Sequence, residues 1–266
     1  MCIRDRSIKG FHITEKKKFG PDDERGVIDQ LTVQNKSRDT IFLMVGDIVK
    51  GGKQDRVLAQ NMILPPRKLA QISVFCVEKN RWYFKNMEGD TTMNTPLKKQ
   101  YAFTGHYHLA SNDLRKTIVK QKSQQAVWEK VAQITNLHEA GSDTDAYSNL
   151  EASDSFTTER DRYLDFFRKE LSNEKNIVGI LSLSGGQILG ADIFAHPNLF
   201  EKKKESLLHA YVTETVSIDS MTVFNPNKLE RYVKQLNWSY NNQQKSNKDH
   251  FKKFKYQEKI VHFTSL

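Results

Sequence analysis

Between Val27 and Glu78 short apolar runs and apolar-polar alternations are separated by turn-forming residues. A period of two belongs to strands that bury one face, so this stretch must build a sheet. Val27 to Val33 alternates, Asn35 to Asp39 reads as a polar turn, and Ile41 to Val45 is a short apolar run. Val57 to Leu64 and Leu69 to Val77 follow, separated by Pro65-Pro66, which stops any helix and imposes extended backbone. The pattern predicts an antiparallel sheet of four or five strands.

The remainder mixes periods, which makes the fold class α+β. Arg81 to Ala110 is irregular, and Ser111 has the character of a helix cap. Leu114, Ile118, Val127, Val131 and Ile134 then fall on one face of a long helix. Gly141 to Ser155 reads as a loop. A second helix over about 159–171 would turn Tyr163, Phe166, Phe167 and Leu171 inward. Two apolar segments, Ile177 to Leu183 and Gln187 to Phe194, flank Ser184-Gly185-Gly186, a β-hairpin signal because primed turns need positive φ. Pro197 and Pro226 open helices over Leu199 to Thr213 and Lys228 to Trp238, with Asn225 as a cap, and Lys259 to Leu266 closes as a strand. Residues 7–266 are expected to form a single α+β domain, with a β-rich lobe over about 7–110 and a helical and hairpin lobe over about 111–266.

The opening MCIRDR resembles a translated sequencing-adapter scar, so residues 1–6 are set apart from the fold. On that reading the natural N-terminus is missing and the compartment, cytoplasmic or exported, stays open. Discounting Cys2 leaves Cys76 alone and no intrachain disulfide. No apolar run approaches the ~20 residues of a membrane-spanning helix. The net charge of +9 permits an anionic partner. The lysines stand in separate clusters along the chain, as solvated faces do, so nucleic acid is the partner class least favoured. Only Phe251 to Tyr256, FKKFKY, hints at interleaved cations and rings, and an edge strand guarded by lysines explains it equally well.

Candidate chemistry concentrates between Gly46 and Trp82. Gly46 to Gln54 is a near miss for a phosphate-cradling loop, with an extra glycine before Lys53 and Gln54 where Ser or Thr should hold magnesium. A strand and no helix follows, so that reading is rejected. Lys53, Gln54, Asp55 and Arg56 still bring two cations, an amide and a carboxylate to one turn. Arg56 could grip a phosphate through its fork while Gln54 reads a base or ribose edge. Alternatively Asp55 pairs with Arg56 or Arg81 and simply locks the loop. Glu78 could bind ribose hydroxyls or act as a base, Arg81 and Trp82 follow it, and Trp82 could stack on a flat ring. A Glu78–Arg81 salt bridge beside a packed indole is the competing arrangement. Cys76 shares parity with Ile72 and Val74, the position of a small buried hydrophobe. His106 and His108 lack a second pair with metal-ligand spacing, so no metal and no cofactor is expected. Asp192 lies amid apolar strand residues and must be paired, exposed or functional, with Arg56 or Lys53 the simplest partners.

The phrases GGKQDRVLAQNMILPP and CVEKNRW resemble the bacterial family named for genomic association with ADP-ribosylglycohydrolases and rhodanese-type phosphatases, the ARPP family. The likeness continues through LRKTIV, QQAVWEKV, IVGILSLSGGQILGADIF and LLHAYVTET, from about Val27 onward. It implies an accessory domain near NAD or ADP-ribose metabolism and assigns no catalytic residue.

Two functions follow. One is a site for a small anionic, nucleotide-like ligand at Lys53 to Arg56 and Glu78 to Trp82, with Glu78, Asp55 or Asp192 available as a general base. The other is a non-enzymatic module that docks a protein partner, its charged phrases serving as salt-bridge networks. A ligand site predicts Lys53, Arg56 and Glu78 converging on an open concavity. A structural network predicts the same charges paired with one another and closed to solvent.

Overall fold

The computed structural model describes residues 10–16, 27–81, 103–218, 222–242 and 251–266. The chain divides into two compact units, one of residues 1–110 and 114–157, the other of 111–113 and 158–266. The first unit therefore takes in the helical segment after residue 113.

The first unit is built on β1 (Phe11–Lys16), β2 (Val27–Asn35), β3 (Ile41–Leu43), β4 (Asp47–Gly51), β5 (Arg56–Leu58), β6 (Met62–Leu64), β7 (Leu69–Cys76) and β8 (Phe103–Leu109). Six of these form an antiparallel sheet in the order β1-β2-β7-β5-β4-β8, and β3 pairs with β6 alone. Strands β1 and β8 approach each other, so the sheet curls toward a barrel. Ile13, Leu31, Val33, Val49, Leu58, Ile72 and Val74 fill its interior as the alternation requires.

The sheet is larger than the sequence pattern suggests because β1, β4 and β8 join it, and Val57 to Leu64 is two strands. Ala59 N–H still bonds to Ser73 O at 2.9 Å, but Asn61 turns its side-chain oxygen to Val45 N–H at 2.7 Å, and β6 leaves the main sheet. The segment after Arg81 also carries a strand, β8, over Phe103–Leu109. Residues 82–102, including Trp82, lie outside the described residues.

One long helix was expected after Ser111, and there are two: α1 (Asn112–Gln121) and α2 (Gln124–Leu137). Lys122 takes a positive φ of 50°, and Ser123 caps α2 by accepting Ala126 N–H at 3.4 Å. A capping serine in mid-sequence outweighs the continuous apolar face. Tyr147–Ala152 forms a 3₁₀ turn, and α3 (Asp154–Leu171) follows.

In the second unit β9 (Gly179–Ser184), β10 (Gln187–Phe194), β11 (Phe251–Tyr256) and β12 (Lys259–Ser265) form an antiparallel sheet in the order β11-β12-β10-β9. Gly185 and Gly186 have φ of 53° and 69°, as the expected hairpin turn demands. The helices α4 (Pro197–Val216) and α5 (Pro226–Asn241) start at their prolines, and Asn225 caps α5 through Asn227 N–H at 3.0 Å. Leu164, Leu208 and Val212 pack with Ile180 on one sheet face, while Leu236 packs with Ala191 and Phe263 on the other. Adjacent strand residues point to opposite faces, so α3 and α4 cover one side and α5 the other. Phe166 and Phe167, expected inward, stand 57% and 38% exposed, and Leu164 fills the core position in their place.

The Asn35 side chain fixes the β2–β3 turn from inside: it donates to Asp39 O, Leu64 O and Pro65 O at 2.7, 3.1 and 3.0 Å. It also accepts from Ser37 N–H at 3.0 Å. Asn35→Ala would strand the buried Leu64 carbonyl and release those of Asp39 and Pro65, and is expected to cost about 2 kcal/mol in urea unfolding, against under about 1 for Ser37→Ala.

Candidate functional site

The turn from β4 to β5 carries the Lys53 to Arg56 phrase, and it faces inward. Connections normally run over the surface, where water satisfies their backbone. Here Gln54, Asp55 and Arg56 are 3%, 1% and 1% exposed, so the backbone must find partners within the protein.

The charged side chains are those partners. Gly51 N–H donates to Asp55 Oδ1 at 3.1 Å, Lys53 N–H to Glu15 Oε1 at 3.1 Å, and Asp55 N–H to Glu78 Oε2 at 3.0 Å. Three carboxylates thus take three alternate amides of one turn. Its carbonyls go to Arg81, whose Nη1 donates to Gly52 O at 2.9 Å and Nη2 to Gly51 O at 3.5 Å. Gly51 and Gly52, with φ of 127° and 54°, make this path possible. A Cβ on Gly52 would come within 2.5 Å of Glu15 Oε1 and 2.7 Å of the Phe103 ring.

The same groups also pair with one another. Arg81 Nη2 stands 2.6 Å from Glu78 Oε2 and 3.4 Å from Asp55 Oδ1. Arg56 Nη2 lies 3.7 Å from Glu15 Oε1, and its Nη1 donates to Gln54 Oε1 at 3.2 Å. Gln54 Nε2 then donates to Lys79 O at 3.2 Å, and Ser148 Oγ to Asp55 Oδ2 at 3.2 Å. Two guanidiniums among three carboxylates make a closed network, worth little net against an apolar core but costly to break on one side. Lys53 alone of the phrase keeps a half-exposed side chain.

Lys53, Gln54, Asp55, Arg56, Glu78 and Arg81 are therefore brought together at one turn. Glu15 and Ser148 complete the cluster. Glu15 had a legible signal, an acid sharing inward parity with Ile13 on β1. Ser148, in the 3₁₀ turn, had none.

Asp192 belongs to the second unit and is fully buried there. Within that unit Tyr211 Oη donates to Asp192 Oδ2 at 2.8 Å, and His262 Nε2 lies 2.8 Å from Oδ1. His262 stacks on Phe194 with ring centroids 4.7 Å apart. This buried trio ties β10, β12 and α4 together.

Cys76 is buried beside Ile72 and Val74, with its backbone clasped by the Gln124 amide at 2.7 and 2.9 Å. Burial, opposed by Arg56 and reinforced by Glu15, pushes its thiol up to about 11. His106, on β8, stands 3.7 Å from Asp47. Among the described residues no His, Cys, Asp or Glu group of three or more is arranged to hold a metal ion, and no helix is long and apolar enough to cross a membrane.

These features define an α+β protein whose most distinctive sequence phrases build a buried, ion-paired hairpin turn. The chain belongs to the family described as ARG and Rhodanese-Phosphatase-superfamily-associated Protein domain, whose model matches residues 7–264. No curated protein and no solved structure matches it.

Two measurements check the site. Arg56→Ala would leave Glu15 without its cation and is expected to cost about 3–5 kcal/mol in denaturant unfolding, whereas Lys53→Ala should cost under about 1. At pH 8 a thiol titrating near 11 is about one part in a thousand thiolate. Peptide mapping after iodoacetamide should therefore find Cys76 unmodified in the folded protein and fully modified in urea.

Proposed function

We propose that this chain is a non-enzymatic interaction module and that its charged phrases serve the fold. The carrying observation is the closure of the 51–56 turn, where each carboxylate and guanidinium is engaged by another or by turn backbone. An anion-binding loop directs its amides at the ligand. In this turn Asp55, Glu15 and Glu78 stand in front of those amides, so a phosphate would meet negative charge where it needs donors. Arg56 and Arg81 would also have to abandon buried partners to grip it.

The family's association with ADP-ribose chemistry supplies the probes for a test. A thermal-shift panel at low salt would use ADP-ribose, NAD, mononucleotides and inorganic phosphate on the wild type and on Lys53→Ala, which leaves the Glu15, Asp55, Glu78, Arg56 and Arg81 side chains in place. A ligand at a hundred times its Kd would add about 2.7 kcal/mol of stability. The expected result is no shift with any of them. A shift that Lys53→Ala abolishes would overturn this reading in favour of a nucleotide site at the turn.

A further inference from the structure

The second unit gathers cations that are separated along the chain. Helix α5 turns Tyr232 and Leu236 to the sheet, Tyr232 meeting Phe251 with centroids 6.0 Å apart. The opposite stripe, at the same helical spacing, is Arg231, Lys234 and Trp238, all exposed. Strand β11 is the sheet edge beside this helix; Lys253 and Lys255 lie on its α5 side, and Lys252 lies on the opposite side. Lys253 Nζ reaches Asn242 O at 2.5 Å, and Asn242 Nδ2 donates to Trp238 O at 2.8 Å, which joins the strand's lysines to the Trp238 end of the helix.

Charge and aromatic surface coincide there. With Lys228 and Lys259, residues 222–242 and 251–266 carry seven cations against Glu230 and Glu258, a net +5 of the chain's +9. Burial, and after it the charge of Lys255, push the Lys253 pKa down. Trp238, Tyr240 and Tyr256 are 50%, 37% and 37% exposed. Tyr240 is held edge-on to Phe263, with centroids 5.5 Å apart, and is thereby fixed as a rigid ring.

We infer that the outer stripe of α5 and the β11 edge form a docking face for single-stranded nucleic acid. The cations follow a phosphate backbone while exposed rings, Trp238 first among them, stack on bases. An acidic peptide offers the cations a partner but leaves the rings without one, and a duplex hides its base faces. The inference uses a different part of the molecule from the turn in the first unit and stands apart from that proposal.

The test is fluorescence anisotropy with labelled mixed-sequence single-stranded RNA and DNA, on the full chain, at 50 and 200 mM salt. Engagement of about four phosphates predicts an affinity falling about fifty-fold between those salts. Lys253→Glu with Lys255→Glu should weaken binding about tenfold or more, and Trp238→Ala about fivefold or more while removing base-induced tryptophan quenching. Circular dichroism melting checks that both variants stay folded. No binding to either strand, binding indifferent to both variants, tighter binding to duplex, or binding to anionic vesicles in place of oligonucleotide would each overturn the assignment.

Discussion

A hairpin turn folded into the protein interior must have its amides and carbonyls met there, and the first unit is arranged around that demand. Residues 51–56 run where water cannot satisfy them, so Glu15, Asp55 and Glu78 receive the amides and Arg81 the carbonyls. Those side chains are charged and buried, and they need one another as well. The requirement couples β1, β4, β5 and the end of β7 through one cluster. It also explains why the turn contains adjacent glycines: only they allow the path between Glu15 and Phe103.

The second unit meets a smaller version of the same problem. Asp192 sits on the face of β10 that α4 covers, where an unpaired carboxylate would be costly. Tyr211 and His262 supply its partners from the helix and the neighbouring strand. Opposite parity sends Ala191 and Ile193 to the α5 side, where they pack with Leu236 and Phe263. One strand therefore serves a polar and an apolar interface at once.

Most of the architecture was legible because its signals are local. Alternation marked the strands, Gly185-Gly186 the hairpin, and Pro197, Pro226 and Asn225 the helix starts. The errors arose where a single polar residue outweighs a pattern: Ser123 divides an apolar helical face, and Asn61 divides an apolar run. Phe166 and Phe167 show the reverse fault, since aromatic rings raise the apparent inward face of a helix whose buried position is Leu164. At the turn the sequence pointed to the charged phrase and left open whether its residues pair with one another or face a ligand, and Glu15 and Ser148 were missed. Residues capable of gripping a phosphate are equally capable of gripping each other, and only the fold says which way the turn faces. Ser148 and the partners of Asp192 come from distant segments with no periodic mark.

The central claim is that the charges of the turn are paired with one another and closed to solvent. A double-mutant cycle on Glu78 and Arg81, with Glu78→Gln, Arg81→Met and the double variant followed by denaturant unfolding, tests it most directly. Partners in a buried pair couple by about 0.5–3 kcal/mol, and contact at 2.6 Å places this pair toward the upper end. The account predicts that the double variant recovers a large part of the combined loss of the singles. Strictly additive losses would contradict it and return these residues to solvent and to an external ligand.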